Sequence, residues 1–323
     1  MRTRICGKLG CAVPIFAFTH CRDVVVEATR AGGFGVLGAV TFSPEQLELE
    51  LKWIDDHVGD KSYGVDVLIP CNYDREVEAA EQPVQDMIPI EQKQFMEDLL
   101  AREGVPELSA DDAQLARNEL IGRGRNTTPA GARKLIDVAL RHPKVKLVVS
   151  ALGAPPRTLV DELHASDILV GSLCGKPEHA LAQRDVGVDI IVAQGTEAGG
   201  HTGQISTLVL VPQLVDVITP DMAVLAAGGI SRGSQIAAAF ALGAEGVWMG
   251  TVWLGTRESD LTPMEKEVLF KARTEDAVVR KYMTGKTVRL IRSKASEAWE
   301  KAGAPRHPAA AAERAVPQRA YPH

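Results

Sequence analysis

The sequence predicts a TIM-type (β/α)8 barrel, with a mostly helical insertion after the third strand and a helical C-terminal region. Three observations lead there. Short apolar runs alternate with helical stretches eight times along the chain, the order that builds a parallel sheet. At 323 residues the chain is long enough for a barrel plus additions. The glycine-rich loops fall late, after the sixth, seventh and eighth runs. An open dinucleotide-binding sheet would place G-x-G-x-x-G after its first strand, whereas this first strand is followed by Phe16-Ala17-Phe18-Thr19-His20.

The elements follow in order. Ala12 to Ala17 reads as the first strand. Arg22 to Ala31 has helical spacing and stops at Gly32-Gly33. Gly35 to Ala39 is the second strand. Ser43-Pro44-Glu45 supplies an N-cap, a proline at the first helical position and an acidic first turn, opening a helix that runs to Val58. Tyr63 to Ile69 is the third strand. The rhythm then breaks: residues 71–126 are charged and helix-favouring, with helices expected from Ile90 to Arg102 and from a Ser109 cap to Ile121. We read this segment as an insertion and expect a lid. Thr128-Pro129 restarts a helix to Arg141. Val145 to Ser150, Asp167 to Val170, Asp189 to Ala193, Ala223 to Ala227 and Gly246 to Met249 are the remaining strands. The helices among them are Pro156 to His164, Pro177 to Asp185, Ser206 to Ile218 and Arg232 to Leu242. The barrel domain thus comprises residues 1–70 and 127–260. A helical region spans 261–304, and an Ala- and Pro-rich stretch at 305–323 reads as a flexible tail.

Composition narrows the function classes. The chain is 45% hydrophobic and 24% charged, and its net charge of -6 offers no electrostatic footprint for nucleic acid or an anionic membrane. No apolar run reaches the roughly 20 residues of a spanning helix, and the N-terminus lacks the apolar core of a secretory signal. The expected setting is cytoplasmic. Five cysteines in no zinc-like spacing read as thiols, Cys174 drawing notice because it sits at a strand end. No metal site is expected. Neither a G-x-S-x-G elbow nor an H-E-x-x-H helix is present.

Three loops carry the chemical signal. Gln194-Gly195-Thr196-Glu197-Ala198-Gly199-Gly200-His201-Thr202-Gly203 follows the sixth strand, Ala226-Ala227-Gly228-Gly229-Ile230-Ser231 the seventh, and Met249-Gly250-Thr251 the eighth. In a barrel they converge on the C-terminal face, where the last two units commonly bind phosphate through backbone N–H groups and a helix N-terminus. His201 is a proton carrier one unit from that site; Gly199 and Gly200 leave room for a planar ligand. His20, at the end of the first strand, is its rival. Glu197 serves equally well to fix the loop or to react.

These three loops, with Ala241-Leu242-Gly243-Ala244-Glu245-Gly246-Val247-Trp248 and the looser Pro14-Ile15 and Ala31-Gly32-Gly33-Phe34-Gly35, resemble the nitronate monooxygenase family over roughly Pro14 to Arg257, excluding the insertion. The resemblance implies a TIM barrel holding FMN without a covalent bond. By it, Gly228, Gly229, Gly250 and Thr251 match the positions that hold the FMN phosphate, with Ala227 just before them. Phe16, Ala17 and Phe18 fall where the first strand ends under the isoalloxazine, Asp66 where the third strand approaches the flavin, and Gln194, Gly199 and Gly200 in the sixth loop. His201 matches the family's catalytic base. The activity implied is oxidation of alkyl nitronates, or of nitroalkanes after loss of an α-proton, with O2. An enoyl-thioester or NAD(P)H:quinone reductase on the same barrel is the alternative, and a phosphate-binding barrel without redox chemistry is a third reading. Separately from the resemblance, the sequence does not fix the oligomeric state, and the apolar surface of the added helical region could support a homodimer.

Overall fold

Each apolar run pairs in parallel with the next, and the last returns to the first, so the sheet in the computed structural model is a closed barrel. The structure describes residues 2–70, 89–218, 220, 222–281 and 286–301. The barrel strands are β1 (Ile15–Thr19), β2 (Phe34–Gly38), β3 (Tyr63–Val67), β4 (Val145–Ser150), β5 (Leu169–Cys174), β6 (Ile190–Gln194), β8 (Ala223–Ala227) and β9 (Gly246–Met249). Closure is the β1–β9 pair, with Phe16 opposite Trp248. The helices are α1 (Arg4–Leu9), α2 (Arg22–Arg30), α3 (Pro44–His57), α4 (Ile90–Arg102), α5 (Ala110–Arg125), α6 (Pro129–Ala139), α7 (Arg157–Ala165), α8 (Pro177–Asp185), α9 (Thr207–Val217), α10 (Gly233–Ala241), α11 (Thr251–Leu254), α12 (Pro263–Lys271) and α13 (Lys294–Trp299). Among the described residues no helix is long and apolar enough to cross a membrane.

Strand alternation sorts the core into two shells. Phe16, Phe34, Val36, Leu147, Val149, Ile190, Val192, Leu225, Ala227 and Trp248 point inward and fill the barrel. The intervening residues, such as Leu37, Val65, Val148 and Ile191, point outward and pack under the helices with Leu47, Leu51, Leu135 and Leu163. The helix α1, which the sequence reading did not anticipate, adds Ile5, Cys6 and Leu9 to the inner shell. Its Arg4 donates to the Met222 carbonyl (2.9 Å) and pairs with Glu245 (2.6 Å), so it closes the N-terminal end of the barrel.

Boundaries shift where local chemistry intervenes. The first strand begins at Ile15 rather than Ala12. The fifth is Leu169–Cys174 rather than Asp167 to Val170: Asp167 adopts φ 59 in the turn out of α7, which no strand residue does. The Ser43 cap is a full capping box with Gln46.

The described part of the insertion, residues 89–125, holds the two helices α4 and α5 joined by residues 103–109; residues 71–88 lie outside the described set. Asn126 ties its end to the barrel by donating to the carbonyls of Val40 (2.9 Å) and Phe42 (2.6 Å). The C-terminal region is helical at its ends, but between α12 and α13 it forms two strands, β10 (Ala277–Arg280) and β11 (Val288–Ile291), paired antiparallel. A third short strand, β7 (Gly200–His201), completes this small sheet. The expected tail at 305–323 lies outside the described residues. Trp299 of α13 packs on Phe95 of α4 (4.6 Å between rings), and its Nε1 donates to the Met96 sulfur at 3.2 Å; Lys294 pairs with Glu103. The insertion is therefore fastened to the C-terminal segment.

Candidate active site

The C-terminal mouth of the barrel gathers all three glycine-rich loops. A Cβ on Gly199 would lie 2.9 Å from Thr251 Oγ1, bringing the sixth-strand loop against α11. A Cβ on Gly228 would lie 2.9 Å from the Ala198 nitrogen and 2.8 Å from Thr207 Oγ1, and one on Gly229 would lie 3.0 Å from the Glu197 Cβ. Gly228 (φ 109) and Gly229 (φ 69) both occupy the region that glycine enters freely. Gly250 reaches the first strand, its Cβ position 3.7 Å from the Phe18 ring. The four stretches thus form one site.

Glu197 holds the loop. Its Oε2 accepts from the Thr207 N–H (2.8 Å) and hydroxyl (2.9 Å), capping α9. The Thr207 hydroxyl also lies 3.1 Å from the Gly228 carbonyl. Of the two roles open to Glu197 in the sequence, the structure shows the fixing one. Arg289 of β11 donates through Nε to the Thr196 carbonyl (2.8 Å) and through Nη1 to the Ala277 carbonyl (3.0 Å). Val288 lies opposite His201, and the Thr202 N–H donates to the Thr287 carbonyl (3.0 Å). Within the stretch read as a loop, Gly200 and His201 therefore form a strand edge stapled by the C-terminal hairpin. His201 is partly buried there, and burial, followed by the nearby Lys286 charge, pulls its imidazole down to about 4. It is neutral at pH 7 and able to accept a proton.

The other expected residues divide by register. Phe16, Phe18, Asp66, Gln194 and Ala227 all fall on the inward face. Phe16 is fully buried beneath the mouth, stacked 6.4 Å from Trp248, while Phe18 stacks on Trp248 at 5.6 Å nearer the opening. Trp248, not singled out from the sequence, is thus the aromatic floor. Asp66 is 6% exposed and opposite Gly38. Ala17 pairs with Gly35, whose Cβ position falls against Val25 of α2, so Ala17 faces outward and presents only its backbone to the interior. His20 roofs Gly38: its Nδ1–H donates to the Gly38 carbonyl (2.9 Å), its ring meets Phe18 at 5.3 Å, and a Cβ on Gly38 would overlap it. Cys174 is buried at the end of β5, and burial pushes its thiol up to about 11, so it is no nucleophile at neutral pH.

Among the described residues, no backbone acceptor pairs with the N–H groups of Gly228, Gly229 or Gly250. The N–H groups of Ser231 and Arg232 are already taken by Gln235 Oε1 (2.9 and 3.1 Å). The donors left for an anion at this end are thus those of the glycines, above an apolar floor and beside glycines that leave clearance. A phosphate-bearing planar cofactor fits this donor set.

The sequence profile of the nitronate monooxygenase family matches residues 19–322. The chain belongs to the nitronate monooxygenase family. As a member it is a flavin-dependent oxidoreductase. A Mycobacterium tuberculosis protein assigned as a monooxygenase, Rv1533, is 48% identical over 94% of this chain and 80% of its own. A protein of Staphylococcus saprophyticus assigned as a nitronate monooxygenase is 29% identical over 90% of this chain and 79% of its own. Among solved structures, FabK from Thermotoga maritima is 26% identical, with TM-score 0.68 over 92% of this chain and 76% of that one. The nitroalkane oxidase of Streptomyces ansochromogenes is 24% identical, with TM-score 0.70 over 95% of this chain and 82% of that one, a likeness of fold.

Proposed function

We propose that this nitronate monooxygenase family member uses FMN to oxidise alkyl nitronates with O2, and that His201 is the general base when the substrate arrives as a neutral nitroalkane. The observation that carries the reading is a partly buried imidazole, held by the pairing of β7 with β11, on the loop that also meets the glycines after β8 and Thr251 after β9. Gly228, Gly229 and Gly250 would hold the FMN phosphate through their N–H groups, with the Thr251 hydroxyl beside them. Phe18, Asp66, Gln194 and Ala227 would line the ring, and Phe16 would support it from below; Ala17, Gly199 and Gly200 would meet it with backbone alone.

Bound FMN supplies the electron acceptor for the nitronate and the route of those electrons to O2. His201 takes the α-proton of a nitroalkane on an unprotonated ring nitrogen: the C–H bond breaks, and its electron pair becomes the C=N bond of the nitronate. Burial favours the neutral form of His201, the form that can accept a proton. A preformed nitronate needs no such step. Replacing His201→Asn should therefore slow turnover of neutral nitroalkane by about 10²–10⁴-fold while sparing nitronate. Equal losses on both substrates would remove the base role.

A reductase that passes hydride to an enoyl-thioester or quinone acceptor is the second reading, favoured by the likeness to the Thermotoga FabK. Anaerobic titration separates the two: bleaching of the flavin by nitronate alone supports the first, and rapid bleaching by NADH or NADPH supports the second. The absorption spectrum of the purified protein and mass analysis of the released chromophore test FMN itself.

A further inference from the structure

The imidazole of His201 sits on backbone that its own sequence leaves loose. Gly200 adopts φ 80, and an added Cβ there would meet nothing within 4 Å. β7 is two residues long and lies at the edge of its three-stranded sheet. A strand pair that short is marginal in water on its own. A proton-accepting nitrogen keeps its aim only if that backbone is held.

Arg289 holds it from the far side of the sheet. The residue lies in the central strand, opposite Gly200 and one position from the Val288–His201 pair. Successive residues of a strand point to opposite faces, so its guanidinium is on the face away from the imidazole. There Nε donates to the Thr196 carbonyl (2.8 Å) and Nη1 to the Ala277 carbonyl (3.0 Å). Ala277 opens β10, on one side of β11, and Thr196 lies in the turn before β7, on the other. Thr196 is itself anchored: its N–H donates to the Ile205 carbonyl (2.8 Å), and its neighbour Glu197 caps α9. One planar fork thus joins the hairpin to the fixed foot of the loop, with β7 between them. Two acceptors in different segments call for two donors in a rigid plane, which arginine has and lysine lacks. Beyond His201, Thr202 closes the loop by donating its hydroxyl to the Gly195 carbonyl (2.8 Å).

We propose that Arg289 is a positioning residue for proton transfer, holding His201 through the β7 backbone where it meets the α-carbon of a nitroalkane, an inference that rests on the reading of His201 as base. A preformed nitronate needs no base and makes no such demand on Arg289.

The test uses Arg289→Met, Arg289→Lys and His201→Asn, with 1-nitropropane and propyl nitronate as substrates. Arg289→Met should lower kcat on 1-nitropropane by roughly 10²-fold, the scale of a 1 Å misplacement, and leave turnover of propyl nitronate within about threefold. Arg289→Lys, which can reach one carbonyl, should recover part of the loss. Arg289→Met combined with His201→Asn should be little slower on 1-nitropropane than His201→Asn alone, because the two residues act as a unit. Amide exchange of Gly200 to Thr202, which needs no turnover, should quicken in Arg289→Met and less so in Arg289→Lys. An unchanged kcat on 1-nitropropane, equal losses on the two substrates, or a fully additive loss in the double variant overturns the inference. Should Arg289→Met fail to fold, Arg289→Lys carries the same comparison, and equal effects there on the two substrates overturn it. If His201→Asn slows both substrates equally, the base reading fails and this inference with it, even where faster exchange shows that Arg289 holds β7.

Discussion

Thr251 Oγ1 stands 2.9 Å from the point a Cβ on Gly199 would occupy, so the loop carrying His201 and the loop after β9 touch where only a glycine fits. Adding that methyl forces the Thr251 hydroxyl aside. Gly199→Ala should weaken FMN retention by about tenfold, an estimate of roughly 1.4 kcal/mol. Gly228→Ala should do more, because its new Cβ meets the backbone nitrogen of Ala198 at 2.9 Å and its φ of 109 strains any side chain. That strain costs about 1–3 kcal/mol. Flavin absorbance after dialysis measures both; full retention in Gly228→Ala would count against a phosphate site there.

Glu197 and Thr207 provide a stability prediction. Glu197→Ala removes the acceptor for the Thr207 N–H and hydroxyl, and loss of such a cap costs about 0.5–2 kcal/mol. Glu197→Gln keeps one carbonyl acceptor and should lose less. Thermal unfolding ranks the two variants; equal melting temperatures for Glu197→Ala and the parent would show the cap to be idle.

His201 fixes the sign of a pH effect. Its folded imidazole sits at about 4, while the unfolded chain returns it to about 6.5. Below that value the unfolded state binds a proton that the folded state refuses. The stability contribution is complete above the unfolded value and is lost as pH falls toward the folded one. The melting temperature of the parent should therefore fall relative to His201→Asn as pH drops from about 7 to about 4.5. Turnover of neutral nitroalkane should hold across the same range, with its acid limb near the folded value. An acid limb near the ordinary histidine value would mean the imidazole is not desolvated.

Much of this was legible in the sequence, and the reasons differ by element. All eight barrel strands announced themselves because each is a short apolar run between helices, with covered faces on both sides. The loop residues were legible because glycine and histidine carry their chemistry locally. The hairpin was not. Ala277-Val278-Val279-Arg280 and Val288-Arg289-Leu290-Ile291 hold four residues each, and only their β-branched content hinted at strands. Gly200-His201 has no strand propensity at all; its strand exists because β11 lies beside it, a contact no local pattern encodes. The role of Trp248 emerged only from register, which placed it opposite Phe16.

The join between insertion and C-terminus makes its own prediction. Trp299 is 8% exposed, against Phe95 and Met96. Trp299→Ala should cost about 3–5 kcal/mol if the segments unfold with the barrel. It should cost little globally, while opening α4 amides to exchange, if they form a separate unit. Hydrogen exchange read beside the melting temperature decides between these; protection of α4 unchanged in the variant would show that another contact holds the insertion.

The bond from Arg289 to Thr196 joins residues 93 positions apart, from beyond the last barrel strand back to the loop of the sixth. On a ribosome the chain emerges N-terminus first. All eight barrel strands are made before β11 exists, so the barrel has what it needs to close while the His201 strand still has no neighbour. The scaffold is then finished ahead of its chemistry. The segment that pairs with His201 is therefore added only after every barrel strand has been made.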